Sequence, residues 1–319
     1  MDHPEIPKGA WAGIRRFPHT AAFKIYAEPS LDLPTDALSS EYPIVPVRHK
    51  SDAHVSLHST LSGPSRTFTL EIPDLSLVWQ ASSIVQFQLS VTDRSLTSIL
   101  AKIAHFHFHL HRQKSVKGLV VESEAVSLRL YRLKEGTQGV LRTAWPKKNL
   151  FKKNVAHIDM ADAATFYGIE ILNRTAWDLY VHLFVFNPFD YSVNALQMPQ
   201  VGSSSAPLKA HQSITVGYGS GDRPLSFAPE GTVDNTAFFK CIVCTENIDL
   251  YHMLQSSPFK MPASPASDSG PTTQHDRPRM GINQQAAKPD KVFWDTASAA
   301  VIMSSSYYTG IKRMMRMEF

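Results

Sequence analysis

The side chains with obvious chemical potential are two cysteines, Cys241 and Cys244, and a run of histidines, His105-Phe-His-Phe-His-Leu-His111. A C-x-x-C pair can be half of a zinc site or a redox pair, but zinc needs two more ligands and the redox motif normally opens a helix. Here the pair lies inside Ala237-Phe-Phe-Lys-Cys-Ile-Val-Cys-Thr245, which reads as a strand. Residues three apart on a strand point to opposite faces, which makes them poor disulfide partners and points to structural cysteines. On a helix, His105 and His109 share a face, as do His107 and His111, and i, i+4 histidines are a genuine metal-ligand spacing. No H-E-x-x-H accompanies them, however. The expectation is therefore that these imidazoles form a polar helix flank, favourable near the helix C-terminus when protonated.

Other motifs are missing. The chain has no G-x-S-x-G elbow, no Walker A loop and no G-x-G-x-x-G between strand and helix, and its carboxylates are scattered singly. Gly217-Tyr-Gly-Ser-Gly221 reads as a hairpin-type loop between strands, without the helix N-terminus that would hold a phosphate. Trp145-Pro-Lys-Lys-Asn-Leu-Phe-Lys-Lys153 interleaves aromatic and basic residues, which could suit a phosphate-rich partner, although short basic loops are usually just solvated. A net charge of +4 spread along 319 residues gives no basic stripe for nucleic acid. The start of the chain lacks a basic n-region and an apolar h-region, and no run of eighteen apolar residues occurs. A soluble, cytoplasmic protein of a reducing compartment is expected. No catalytic, cofactor-binding or metal residue is assigned, and no cofactor.

The elements that would position these groups are mostly strands. Asp178-Leu-Tyr-Val-His-Leu-Phe-Val-Phe186 fills both alternation phases with apolar residues, as a strand buried on both faces does, and Asn187-Pro-Phe-Asp190 closes it. Further strands are expected at Ser192 to Gln197, Pro207 to Val216, Leu225 to Phe227 and Ala237 to Thr245. Upstream, Thr67 to Ile72 and Val85 to Val91 alternate as half-buried strands. A helix is expected from Asp93 to His111, with Leu96, Ile99, Leu100, Ile103, Phe106 and Leu110 recurring at three- and four-residue spacing. Glu124 to Leu133 is a strand with Val126, Leu128 and Leu130 inward, and Val140 to Trp145 should pair back on it.

The fold class expected is mainly β with minor α: an antiparallel β-sandwich, Ig-like, with one main packed helix. Residues 1–66 form a loosely structured region with a small β element at Ala22 to Tyr26, 67–160 a β-rich part holding the helix, and 161–255 the sandwich core. Residues 256–288, rich in Pro, Ser, Gln and Gly, read as a disordered loop, 289–305 as a returning strand, and 306–319 as a flexible tail.

The order N-R-T-A-W-D-L-Y-V-H-L-F-V-F-N-P-F-D-Y-S-V, A-P-L-K-A, I-T-V-G-Y-G-S-G, P-L-S-F and F-F-K-C-I-V-C-T-E-N-I-D-L resembles the β-rich region that follows the peptidase domain in caspase-like proteins of mushroom-forming fungi. The resemblance covers roughly residues 95 to 303, and the catalytic domain lies outside it. It implies a non-catalytic interaction or regulatory module whose partner is a protein, such as a caspase-like peptidase or a signalling protein, with no nucleic acid and no stable membrane association. A caspase-like site needs a cysteine nucleophile beside an activating histidine, and no His-Gly dipeptide accompanies either cysteine. Two alternatives stay open: a fungal β-sandwich lectin using Trp177 or Tyr218 as a sugar platform, and the C-terminal fragment of a caspase-like cysteine peptidase.

Overall fold

The computed structural model describes residues 22–29, 31, 42, 44–62, 65–72, 85–89, 93–112, 123–134, 143–159, 165–200, 203–219, 223–227, 235–259 and 292–304. Most of the loop expected at 256–288 and the whole tail at 306–319 lie outside them. The strands are β1 (Phe23–Ala27), β2 (Ile44–Pro46), β3 (Val55–Ser62), β4 (Ser65–Ile72) and β5 (Val85–Leu89), followed by the helix α1 (Asp93–His111). Next come β6 (Val126–Lys134), β7 (Thr143–Ala144), β8 (Val155–Asp159), β9 (Phe166–Asn173) and β10 (Tyr180–Asn187). The last are β11 (Ser192–Gln197), β12 (Ser213–Val216), β13 (Leu225–Ser226), β14 (Asn235–Cys244) and β15 (Trp294–Ser304).

These strands build three sheets. The N-terminal sheet has the order β2-β1-β3-β4-β5, the central sheet β11-β10-β14-β15-β8, and the outer sheet β12-β9-β6-β7 with β13 also on β9. The molecule is mainly β and sandwich-like, with α1 as its one α-helix among the described residues. Most ladders are antiparallel; β1 runs parallel to both β2 and β3, and β8 runs parallel to β15. The region before residue 67 therefore carries more strand than the single small element expected from its composition.

Sheet stacking follows from strand alternation. Val181 and Leu183 of β10, Phe239, Cys241 and Val243 of β14, and Ala299 and Val301 of β15 meet Leu128, Leu130, Ile169 and Ile171 of the outer sheet. Phe184, Phe186, Phe238 and Ile242 project the other way, into a second core shared with α1 and with Phe23, Ile25, Leu57 and Leu70 of the N-terminal sheet. The central sheet is thus buried on both faces, which is why β10 reads as a nearly unbroken apolar run. Helix α1 forms where expected, and its stripe of Leu96, Ile99, Leu100, Ile103, Phe106 and Leu110 is buried. Phe106 meets Phe186 edge-on at 5.4 Å and Tyr191 at 5.0 Å, while the next residue, His107, lies 4.9 Å from Phe23 of β1. The helix therefore joins the N-terminal sheet to the central one. Burying each such side chain contributes about 1.5–3 kcal/mol.

Two expected elements differ in detail. Within Pro207 to Val216 only Ser213–Val216 forms a ladder; Leu208 makes a single bridge to Leu179, and His211 turns the chain with φ 56°. The Gly217 loop is also not a hairpin, because β12 and β13 both lie along β9, pairing Val216 with Ile169 and Leu225 with Tyr167. It is an excursion within one edge of the outer sheet. Gly217 and Gly219 take φ of 85° and 84° there, a conformation that favours glycine.

Candidate functional site

Both thiols sit in β14, in opposite phases of the strand, and both are free and buried. Cys241 belongs to the core shared with the outer sheet. Burial pushes its thiol up, and Asp295 adds to the effect. Burial also raises Cys244, whose sulfur accepts a 3.5 Å hydrogen bond from the Glu246 amide. A nucleophilic cysteine needs a stabilised thiolate, and these surroundings favour the neutral form. Asp295 itself is a structural anchor: it accepts the Ser123 hydroxyl at 2.6 Å and the amides of Ala125 and Thr296 at 3.3 and 2.8 Å.

The histidines gather at the C-terminal half of α1, and helical spacing pairs them as expected. His107 and His111 stack at 5.8 Å with an interplanar angle of 6°, and His54, just before β3, stacks on His107 at 5.3 Å. On the neighbouring flank His105 and His109 meet at 4.4 Å, with His252 5.5 Å and Tyr42 6.0 Å from His109. Several ring nitrogens serve the backbone: His111 Nδ1 donates to the His107 carbonyl at 2.8 Å, and His105 Nε2 to the His252 carbonyl at 3.0 Å. No group of three His, Cys, Asp or Glu among the described residues is arranged to hold a metal ion.

The helix end is more buried than a simple polar flank would be. His107 and His109 are nearly inaccessible, and their ring nitrogens have no hydrogen-bond partner among the described residues. Burial depresses both well below the ordinary imidazole range, helped by His111 and His54 for His107, and by His105 and Arg112 for His109. Lys240, the one cation in the apolar run of β14, points at this same end and donates to the Leu110 carbonyl at 2.7 Å. It satisfies one of the four carbonyls that a helix terminus leaves without an intrahelical partner. Burial pulls Lys240 well below the ordinary lysine range and Arg112 down to about 10. The role of Lys240 was not assigned from sequence, although a lone lysine inside Phe-Phe-Lys-Cys-Ile-Val is the signal that could have raised it. Beside the helix an open groove of about 470 Å³ is lined by Tyr42, Lys102, His105, His252, Leu254 and Gln255.

Neither proposed sugar platform is a free aromatic face. Trp177 is half-buried with its ring 5.0 Å from that of Phe293, and its carbonyl accepts Asn173 Nδ2 at 2.7 Å. Asp178 beside it binds Lys209 Nζ at 2.9 Å and the Ala210 amide at 3.0 Å. Tyr218 folds down onto Gly168, where an added Cβ would lie 2.2 Å from its ring. Burial, with Glu170 and Tyr131 nearby, pushes its phenol up to about 12. Glu170 accepts the hydroxyls of Tyr131 and Ser213 at 2.9 and 3.0 Å.

Sequence reasoning also missed a polar group on the N-terminal sheet. His58 Nδ1 contacts Glu28 at 2.9 Å, its Nε2 lies 3.3 Å from Glu71, and Lys50 pairs with Glu71. The hydrogen bond from His58 lowers the Glu28 carboxyl. β3 brings His58 between carboxylates distant in sequence, a proximity that no local motif announces.

Compared with protein-family models, curated proteins and solved structures, the chain matches none.

Proposed function

We propose that this protein is a non-catalytic interaction or regulatory module that works by binding another protein. The observation that carries the reading is the fate of its reactive groups: Cys241, Cys244, His107, His109 and Lys240 are all packed between layers, where burial holds the thiols, imidazoles and amine toward their neutral forms. Side chains used this way join a helix to two sheets and leave the outer surfaces for recognition. The resemblance to the accessory region of fungal caspase-like proteins supports the same reading and names the partner class, a caspase-like peptidase or a signalling protein. A lectin role would place a flat aromatic face in solvent, and the packing of Trp177 and Tyr218 weighs against these two residues as that face.

The test is reconstitution. The purified chain is mixed with a purified caspase-like peptidase of the same organism, and complex formation is followed by sedimentation alongside cleavage of a peptide reporter. A stoichiometric complex that shifts the peptidase rate is the expected result. Binding to a glycan array without binding to the peptidase would replace this reading with the lectin one.

A further inference from the structure

We propose that the loop Trp145 to Lys153 is a docking surface for an acidic segment of a partner protein, with Trp145 as its apolar anchor. The inference rests on the protein-binding reading above and locates it.

The loop is held in shape along its length. Trp145 N donates to the Arg132 carbonyl at 2.9 Å and Leu150 N to the Leu130 carbonyl at 2.8 Å, so the chain continues beside β6 after β7 ends. Asn149 Oδ1 accepts the Leu130 and Phe151 amides at 3.0 and 3.1 Å, and the Phe151 side chain is buried. Lys152 and Val155 exchange backbone hydrogen bonds, and the Asn154 carbonyl accepts the Ala300 amide at 2.8 Å. The loop thereby crosses from the edge of the outer sheet to the edge of the central one. It is a fixed platform, unlike the merely solvated loop its composition suggests.

What this platform shows to solvent is unusual for the molecule. Trp145 is 65% exposed, the most of any large apolar side chain among the described residues. Lys147, Lys148, Lys152 and Lys153 of the same loop are exposed, and Lys134 Nζ stands 5.9 Å from the Trp145 ring. No acidic residue occurs between Thr143 and Ile158. None of these five lysines has an ion-pair partner among the described residues. An exposed tryptophan on a hydrogen-bonded backbone, in a loop rich in unpaired lysines, has the make-up of an interface hot spot, where an aromatic anchor is desolvated and rim charges select the partner.

The chemistry favours an acidic polypeptide over the other polyanions. A nucleic-acid track stacks successive bases on several aromatics, and here one aromatic faces out. Membrane insertion needs more apolar surface, and Leu150 and Phe151 are turned inward. Lysines supply diffuse positive charge suited to a run of Glu and Asp, without the bidentate geometry that arginine brings to phosphate.

The test measures binding of a fluorescein-labelled Glu/Tyr copolymer by anisotropy, with the single-stranded RNA oligo(U) and phosphatidylcholine/phosphatidylserine vesicles as the other two probes. The wild-type chain should bind the copolymer with an affinity that falls as salt rises. Trp145→Ala and the double variant K147E/K148E should each weaken it at least about tenfold. Because all three side chains are exposed, their thermal unfolding should match the wild type, and Lys24→Glu on the N-terminal sheet should leave binding unchanged. Absent copolymer binding, equal binding by both loop variants, or tighter loop-dependent binding of RNA or vesicles would overturn the proposal. If the peptidase complex survives in the loop variants, the loop assignment alone fails; if no peptidase complex forms with the wild type either, the protein-binding reading fails with it.

Discussion

Across the central sheet, the face shared with the outer sheet is filled by Val181, Leu183, Phe239, Val243 and Val301, whereas the face shared with α1 carries His182 and Lys240 among its phenylalanines. One strand supplies both environments: β14 sends Phe239, Cys241 and Val243 to the first and Phe238, Lys240 and Ile242 to the second. The aliphatic side draws its stability from transfer and packing, which proton concentration hardly changes. The helix side adds neutral imidazoles and an amine with little access to water. The two cores should therefore respond alike to truncation and differently to acid.

The largest expected effect is on packing. Phe106 is fully buried at the junction of α1 with Phe186 and Tyr191, so Phe106→Ala should cost about 3–5 kcal/mol, read as a lowered denaturant midpoint. Hydrogen exchange in that variant should quicken first in α1 and the N-terminal sheet, with β6 and β9 protected longest. Equal loss of protection in all three sheets would mean that the cores unfold as one unit.

Acid separates the two sides next. His107 and His109 have depressed pKa values in the folded chain and ordinary ones, near 6.5, when unfolded. Below pH 6.5 the unfolded chain takes up protons that the folded chain refuses, so the stability these groups contribute is present above that pH and lost as it falls. Each contributes a slope of about 1.4 kcal/mol per pH unit. His182, lowered to about 4 by burial despite Asp249, adds to the slope between pH 6.5 and 4. Replacing His107 with Phe should remove one proton's worth of this slope, while Ile171→Val in the aliphatic core should lower stability without changing it. A pH profile unaltered by His107→Phe would contradict the assignment.

A smaller effect checks the outer sheet. Gly168→Ala would place a methyl group 2.2 Å from the Tyr218 ring and should cost about 1–3 kcal/mol through overpacking. Tyr218→Ala in the same chain should recover most of that loss, a coupling that a double-mutant cycle measures. Additive effects would show that Tyr218 does not cover Gly168.

Much of this architecture was legible in the residues. Helix α1 has the bounds expected from its apolar periodicity, and β11 occupies Ser192–Gln197 as expected, because local pattern and tertiary burial agree in both. β2, β3 and β8 were not visible. Val55 to Ser62 breaks its apolar phase of Val55, Leu57 and Leu61 with Ser59 and fills the other phase with serine, histidine and threonine, and β8 is five residues pairing in parallel with a strand far along the chain. The histidine pairs followed from helical spacing alone. Their neighbours did not, since His54, His252 and Lys240 reach α1 from separate elements and only the folded sheets bring them there. The rigidity of the Trp145 loop was hidden for the same reason: Asn149 and Phe151 act on partners in β6 and the core, so the run looked like an ordinary basic loop.

In the proposed non-catalytic module, the buried thiols, imidazoles and amine serve to hold layers together. The most direct test is thiol reactivity of the native protein measured beside peptide turnover. Cys241 and Cys244 should resist an aromatic disulfide reagent until denaturant unfolds the chain, because both are buried and held toward the protonated form. Arg-, Lys- and Asp-terminated reporters should remain uncleaved with or without calcium, and Cys241→Ala or Cys244→Ala should alter stability at most. A thiol that reacts in the folded protein, together with reporter cleavage that either substitution abolishes, would show a catalytic cysteine in place of a packing one.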